Sequence, residues 1–131
     1  MNLVVVGLSH KTAPVALRER FAVPDDALGD AAGRVRLVDG CRESFVVSTC
    51  NRVEVYAAFD GERPSDDALT DVLASVGQAT RGQVSPHAYL HAGPEAVRHL
   101  FRVACSLDSV VLGEDQILAQ VRDAFARCER A

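Results

Sequence analysis

The residues best suited to do chemistry form one short polar stretch, Ser48-Thr49-Cys50-Asn51-Arg52. It joins two apolar runs whose β-branched and aromatic side chains predict two strands. A loop between rigid strands is a common place for a reactive group. Arg52 would favour the thiolate form of Cys50 if its side chain approached the sulfur, and Thr49 and Asn51 could hold an acyl oxygen or a carboxylate. The stretch therefore indicates a nucleophilic thiol, against the alternative of an inert cysteine beside a turn.

Size and composition indicate a globular domain. The chain has 131 residues, of which 48% are hydrophobic, so it can bury a core. The net charge of −4 excludes a strongly basic nucleic-acid binder, although 13 of the 14 basic residues are arginine and suit carboxylate or phosphate. No apolar run reaches the roughly 18 residues of a membrane span. The cysteines have no metal-ligand or C-x-x-C spacing, so we expect no metal, no membrane contact and a cytoplasmic protein with reduced thiols.

The elements that must position the polar stretch follow from hydrophobic periodicity. We predict a buried strand over 3–8, a short helix over 15–20 with its cap at Thr12 or Ala13, a second helix over 24–38, the strand pair around Cys50, a helix over 68–76 and an edge strand over 84–90. This order predicts an α+β fold, a ferredoxin-like βαββαβ sandwich with an antiparallel sheet and helices on one face. The strands beside Cys50 are too close in sequence for the helical crossover of an open α/β fold.

Helical spacing predicts further C-terminal helices after the sandwich. In the first, Val97, Leu100, Phe101 and Ala104 form the predicted core face, and His99 points away from it, about 200° around the helix from Val97. The cysteine that follows, Cys105, is predicted to be core. The second helix begins near residue 114 and has no stop signal before residue 131, which predicts a fragment of a longer protein. We divide the chain into an α+β domain, residues 1–107, and a linker and helix, residues 108–131.

Three sequence blocks carry a more specific pattern. They are Gly7-Leu8-Ser9-His10-Lys11-Thr12-Ala13-Pro14 followed by Leu17-Arg18-Glu19, then Ser48-Thr49-Cys50-Asn51-Arg52-Val53-Glu54-Val55-Tyr56, and finally His99-Leu100-Phe101-Arg102-Val103-Ala104 followed by residues 107–118. The blocks resemble the N-terminal signature, the active-site motif and the third conserved block of the glutamyl-tRNA reductases. They occur in that family's order and cover most of the chain.

The resemblance implies a function and a set of site residues. The family reduces the glutamyl group of glutamyl-tRNA to glutamate-1-semialdehyde with NADPH, the first committed step of tetrapyrrole (porphyrin and haem) synthesis. By resemblance, Cys50 is the catalytic nucleophile and His99 is a second catalytic residue. The implied substrate-binding residues are Thr49, Cys50, Asn51, Arg52, Ser109, Glu114, Asp115, Gln116 and Gln120.

The resemblance also implies partners that lie outside this chain. NADPH would be bound by a further domain, and the 131 residues contain no G-x-G fingerprint. The full-length enzyme would form a homodimer through a C-terminal domain, and glutamate-1-semialdehyde aminomutase is a candidate partner. We therefore expect this chain to form the acyl intermediate and to lack the hydride step.

The chemistry of the implied reaction explains why a thiol is needed. An aminoacyl ester is a poor hydride acceptor, because the ester oxygen donates electrons into the carbonyl. Attack by a thiolate gives a more electrophilic thioester and divides one hard step into two easier ones. Arg52 could neutralise the γ-carboxylate of the glutamyl group, which we favour, or lower the pKa of the thiol. His99 could protonate the leaving alkoxide or orient the ester.

Two other classes of function stay open on the sequence. A non-enzymatic ferredoxin-like module could bind RNA or a small ligand, with Phe45, Tyr56 and Phe59 stacking bases on the sheet face. A thiol-redox or thiol-hydrolase domain would need a resolving cysteine, for which Cys41 is the candidate.

Overall fold

The computed structural model describes residues 2–105, and these build one four-stranded sheet with helices on both faces. The strands are β1 (Asn2–Ser9), β2 (Cys41–Ser48), β3 (Arg52–Phe59) and β4 (Tyr89–Ala92). The spatial order is β2-β3-β1-β4, and every neighbouring pair is antiparallel. This is the strand order of a ferredoxin-like sandwich, so the predicted fold class is confirmed.

The predicted strand pair around Cys50 is a hairpin of β2 and β3. Both strands have eight residues, and their register runs from Cys41 opposite Phe59 to Ser48 opposite Val53. β3 is also paired with β1 on its other side, from Asn2 opposite Phe59 to Ser9 opposite Arg52. Because β3 is a central strand, the turn at its start is fixed by two neighbouring strands.

Three longer helices and two short helical turns connect the strands on one face of the sheet. They are α1 (Val15–Phe21), a 3₁₀ turn (Asp25–Ala27), α2 (Leu28–Val35), α3 (Asp66–Val76) and the four-residue α4 (Arg81–Val84). The main core lies between these elements and the sheet. Its largest fully buried apolar side chains are Phe21, Phe59, Leu8, Leu69 and Leu73. Ser65 caps α3 by accepting a hydrogen bond from the Ala68 N–H, as expected for the polar loop before it.

The helix α5 (Pro94–Ala104) packs on the opposite face of the sheet. Ala96 of α5 contributes to a second apolar cluster with Val5, Val47 and Tyr56. The expectation that the helices occupy one face therefore holds for the βαββαβ elements and not for α5. Within residues 2–105 the longest helices have 11 residues, and no helix there is long and apolar enough to cross a membrane.

The predicted core face of α5 is wrong at Val97 and Phe101, whereas Leu100 packs against the second apolar cluster as predicted. Val97 and Phe101 are 41% and 66% exposed, whereas Ala96, His99 and Val103 are the buried residues of this helix. The physical reason is that the sheet beneath α5 presents buried polar groups beside apolar ones, so a histidine can face inward with a partner. Cys105, predicted to be core, is exposed.

Smaller corrections concern element boundaries. The predicted strand over 84–90 begins only at Tyr89, because Thr80 and Gln83 form a capping box that makes residues 81–84 helical. Pro86 lies in the turn before β4, which is an edge strand as expected. The cap of α1 is Pro14 instead of Thr12 or Ala13. The domain boundary at 107/108 and the last predicted helix lie outside the described residues.

Candidate active site

Cys50 occupies the tip of the β2–β3 hairpin and is exposed. The tip is a tight turn, in which the Thr49 N–H donates to the Arg52 carbonyl at 2.8 Å. The Thr49 hydroxyl oxygen accepts from the N–H groups of Asn51 at 3.1 Å and Arg52 at 3.2 Å. Threonine hydroxyls commonly accept from backbone N–H groups in turns. Because the Thr49 hydroxyl oxygen is already used as an acceptor, this side chain can bind an acyl oxygen only by donating its hydroxyl hydrogen.

Residues that follow β1 in the chain anchor this turn by hydrogen bonds. The His10 N–H donates to the Asn51 carbonyl at 2.8 Å, and the Arg18 guanidinium donates through Nη1 to the Cys50 carbonyl at 2.9 Å. After α1, the Val23 N–H donates to the Ser48 hydroxyl at 2.9 Å. The nucleophile candidate therefore has a solvent-facing side chain on a backbone with several anchors.

Arg52 and Glu54 follow Cys50 on the face of β3 that α5 covers. Alternate residues of a strand share one face, so Arg52, Glu54 and Tyr56 lie in a row beneath the helix. Arg52 and Glu54 are buried, and their side chains form an ion pair with Arg52 Nη1 3.4 Å from Glu54 Oε2. Arg52 thus contacts a buried carboxylate of the protein itself.

Glu54 is the centre of a buried polar cluster. Its Oε1 accepts from the Tyr56 hydroxyl at 2.8 Å, and its Oε2 accepts from the Tyr89 hydroxyl and from His99 Nε2 as well as from Arg52. Gly7 of β1, opposite Glu54 in the register, makes room for this convergence. A Cβ at Gly7 would lie 2.9 Å from the Glu54 Cγ and 3.1 Å from the Tyr89 hydroxyl.

The cluster fixes the charge state of Glu54. Burial opposes ionisation, but the hydrogen bond and charge of His99, the charge of Arg52 and the hydrogen bond from Tyr89 outweigh it and hold the pKa of Glu54 below its usual range. Burial and the neighbouring Glu54 charge raise the pKa of both Tyr56 and Tyr89, so both phenols stay protonated donors.

A second histidine, His91 of β4, lies beside His99 with ring centroids 4.7 Å apart. Burial, followed by the charge of His99, lowers the pKa of His91.

Burial likewise lowers the pKa of His10, with further contributions from the charges of Arg52, Lys11 and Arg18. Cationic side chains thus surround the hairpin tip, although the protein as a whole carries a net charge of −4.

Some buried polar atoms at the hairpin tip have no hydrogen-bond partner. Among the buried side-chain nitrogens and oxygens of residues 2–105, His10 Nδ1 and Asn51 Nδ2 are unpartnered. Buried donors normally find a partner, so Asn51 keeps an unused donor next to Cys50. In the same part of the chain, no group of His, Cys, Asp or Glu side chains is arranged to hold a metal ion.

The structure brings together the described site residues that the sequence singled out. Thr49, Cys50, Asn51 and Arg52 form the hairpin tip, and Glu54 links Arg52 to His99. The predicted substrate-binding residues Ser109, Glu114, Asp115, Gln116 and Gln120 lie outside the described residues.

The prediction that His99 points away from the core is wrong, since this side chain is buried at 5% exposure. Sequence reasoning also missed Glu54 and Tyr89 as parts of the site. The available signal was a lone carboxylate, Glu54, inside a central strand whose other residues after Arg52 are apolar or aromatic. Such a residue is almost never fully buried unless it is paired.

Comparisons with known proteins identify the family of this chain. The family model for the N-terminal domain of glutamyl-tRNA(Glu) reductase matches residues 6–131. Glutamyl-tRNA reductase of Syntrophotalea carbinolica is 46% identical over 129 residues, which are 98% of this chain and 29% of that protein. The Xanthomonas campestris enzyme of the same name is 50% identical over 126 residues, 96% of this chain and 27% of that protein.

A solved structure supports the same assignment. Glutamyl-tRNA reductase from Methanopyrus kandleri matches with a TM-score of 0.75 and 38% identity, covering 98% of this chain and 28% of that chain. The chain thus spans less than a third of the length of these relatives. It belongs to the glutamyl-tRNA reductase family and corresponds to that family's N-terminal domain.

Proposed function

We propose that this chain transfers the glutamyl group of glutamyl-tRNA to Cys50, forming the thioester that the complete enzyme reduces to glutamate-1-semialdehyde. One observation supports this function most directly: an exposed thiol at the tip of the β2–β3 hairpin lies two residues before Arg52, which pairs with Glu54, and Glu54 in turn binds His99. An exposed thiol can reach a macromolecular ester, and the strand that begins just after it carries charged and proton-exchanging groups.

In the proposed step, Cys50 Sγ attacks the α-carbonyl carbon of the glutamyl ester as a thiolate. The new C–S bond replaces the C–O bond to the terminal ribose, and the ribose oxygen leaves and takes up a proton. We assign proton transfer to His99, which Glu54 holds through Nε2. Thr49 and Asn51 have donors at the hairpin tip that can stabilise the acyl oxygen as negative charge develops on it.

Arg52 is our candidate for recognition of the γ-carboxylate of the glutamyl group. A guanidinium presents several donors in a planar fork, so it can bind Glu54 and a second carboxylate at once. Because the Arg52 side chain is 3% exposed, the substrate reaches it only if neighbouring side chains open a path. The substrate-binding roles of Ser109, Glu114, Asp115, Gln116 and Gln120 stay predictions of the resemblance.

The described residues do not fit an NADPH site. Dinucleotide sites place a G-x-G-x-x-G turn between a strand and a helix. Of the three described strand-to-helix connections, residues 10–14 contain no glycine, residues 60–65 contain Gly61 alone, and the last is the single residue Gly93. We therefore assign no hydride step to this chain. NADPH binding, homodimerisation and a contact with glutamate-1-semialdehyde aminomutase are proposals for a complete enzyme.

The alternative functions fit less well. Tyr56 and Phe59 are buried, and Phe45 stacks on Tyr56 with ring centroids 4.7 Å apart, so these rings do not form an open surface for bases. Cys41 lies at the far end of the hairpin from Cys50. β2 alone spans eight residues, about 23 Å at roughly 3.3 Å per residue, and this exceeds the Cα separation of about 7 Å that a disulfide tolerates.

The test is intact-protein mass spectrometry after incubation with glutamyl-tRNA. The native chain should gain one glutamyl group that hydroxylamine removes, and Cys50→Ser should gain none. Cys105→Ser is the matched control, because Cys105 is also an exposed free cysteine, and it should acquire the adduct normally. An adduct on Cys50→Ser, or its loss in Cys105→Ser, would contradict the assignment, as would no adduct on the native chain.

A further inference from the structure

Arg18 of α1 connects its own helix to the Cys50 turn. Its Nε donates to the Ala13 carbonyl at 3.2 Å, and its Nη1 donates to the Cys50 carbonyl at 2.9 Å. Ala13 and Cys50, whose carbonyl oxygens both accept from Arg18, are far apart in sequence. Through these two hydrogen bonds, one guanidinium bridges the start of α1 to the backbone of the proposed nucleophile.

The neighbouring peptide is anchored from the same segment. The carbonyl of Asn51 accepts from the His10 N–H at 2.8 Å, so two successive carbonyls of the turn, those of Cys50 and Asn51, bind donors from residues 10–18. A hydrogen bond from a charged donor is roughly twice as strong as a neutral one. Fixing the Cys50 carbonyl restricts the backbone dihedrals of Cys50, and these set the direction of its Cα–Cβ bond.

We infer that Arg18 is a positioning residue for acyl transfer, which holds Cys50 in the orientation needed to attack the ester. This inference rests on the proposed function, because it assumes that Cys50 is the nucleophile. Covalent attack requires the reacting atoms in a narrow range of distance and direction, and a displacement of about 1 Å can cost about 10²-fold in rate. Arg18 acts on that geometry through the backbone and not on the thiol itself.

The same helix offers a matched control. Arg20 also donates to two distant backbone carbonyls, through Nε to Gly77 at 3.2 Å and through Nη2 to Gln78 at 3.0 Å. Its contacts hold the end of α3, away from the hairpin tip. Arg18→Gln and Arg20→Gln therefore remove the same type of interaction from one helix, but only the first releases the Cys50 turn.

Acyl transfer should separate the two variants. The experiment measures single-turnover formation of the Cys50 adduct at increasing glutamyl-tRNA concentration. We expect Arg18→Gln to lower the limiting rate by about 10- to 100-fold with little change in the concentration at half-saturation, and Arg20→Gln to keep the native rate. Arg18→Lys should recover part of the rate, because one ammonium can bind the Cys50 carbonyl but cannot span both acceptors.

Amide hydrogen exchange of residues 49–52 distinguishes failure of this inference from failure of the proposed function. Exchange should quicken in Arg18→Gln and not in Arg20→Gln, whether or not an adduct forms. If the native chain forms no adduct, the proposed function fails. Faster exchange in Arg18→Gln and not in Arg20→Gln would still show that Arg18 holds the backbone of the Cys50 turn. A native limiting rate in Arg18→Gln, equal losses in both variants, or unchanged exchange would overturn the role of Arg18.

Discussion

Replacing Glu54 with glutamine tests whether charge holds the buried cluster together. The substitution keeps the size of the side chain but removes the negative charge beside Arg52. A glutamine oxygen can still accept at the position of Oε2, and its amide nitrogen can donate to Tyr56, whose hydroxyl can turn to accept. The main loss is therefore the ion pair with a guanidinium that is itself buried.

The expected destabilisation follows from that loss. Removing one partner of a buried ion pair typically costs about 3–5 kcal/mol. Because glutamine can keep several of the hydrogen bonds and Arg52 has a further interaction, we expect the lower end, about 3 kcal/mol. For a chain of 131 residues, where 1 kcal/mol shifts Tm by about 4 °C, this corresponds to a fall of about 12 °C.

Urea unfolding at pH 7, followed by circular dichroism, measures this free energy. Glu43→Gln is the control, because Glu43 is an exposed glutamate on the neighbouring strand β2, and its free energy of unfolding should stay within about 0.5 kcal/mol of the native value. If Glu54→Gln also stayed within that margin, the buried ion pair and the ionised state of Glu54 would both be refuted.

The pH dependence has a defined sign. The folded-state pKa of Glu54 is lowered, so its contribution to stability is complete above the unfolded pKa of about 4.3 and is lost as the pH falls through the lower folded value. The difference in unfolding free energy between native protein and Glu54→Gln should therefore shrink as the pH falls below about 4. A difference that grew below about pH 4 would contradict the assigned direction.

Two further predictions concern packing. Gly7→Ala should destabilise the protein by about 1–3 kcal/mol and slow adduct formation, because its Cβ would lie 2.8 Å from the Val53 carbonyl. Gly33→Ala is its control and should be neutral or stabilising in thermal unfolding, since its nearest neighbour would lie 3.8 Å away within a helix. On α5, Val103→Ala should lower the free energy of unfolding by about 1–3 kcal/mol. Phe101 is exposed, so Phe101→Ala should change this free energy by no more than about 0.5 kcal/mol. A larger loss for Phe101→Ala than for Val103→Ala would support the core face predicted from periodicity and contradict the structure.

The hairpin and the fold were predictable because local signals agree there. β-branched runs on both sides of a polar turn define β2 and β3, and the short link between them excludes a crossover. The order of strands and helices along the chain then indicates a ferredoxin-like sandwich, and the structure has the strand order of that fold. The exposed position of Cys50 at the hairpin tip was predictable from the same signals, since a polar turn between two paired strands faces solvent.

The orientation of α5 was not predictable from its own sequence. Periodicity assigns the core face by counting apolar residues, and that count places Val97 and Phe101 inward. The sheet face under the helix instead carries Glu54 and Tyr89, whose buried polar groups need a partner and receive His99. The pairing joins residues 45 positions apart in sequence, so only the assembled sheet reveals it.

The proposed function requires the exposed Cys50 thiol and the buried Glu54–His99 pair to act as one site. Its sharpest test is the rate of adduct formation at Cys50 in His99→Gln, in Glu54→Gln and in the double variant, measured at 25 °C after circular dichroism has confirmed that each variant is folded. His99→Gln keeps a donor for Glu54 but cannot exchange a proton, and it should slow the reaction by about 10²- to 10⁴-fold. Glu54→Gln should also slow it, and the double variant should be no slower than His99→Gln. Native rates in both single variants would show that the thiol works without the buried pair and would contradict this assignment.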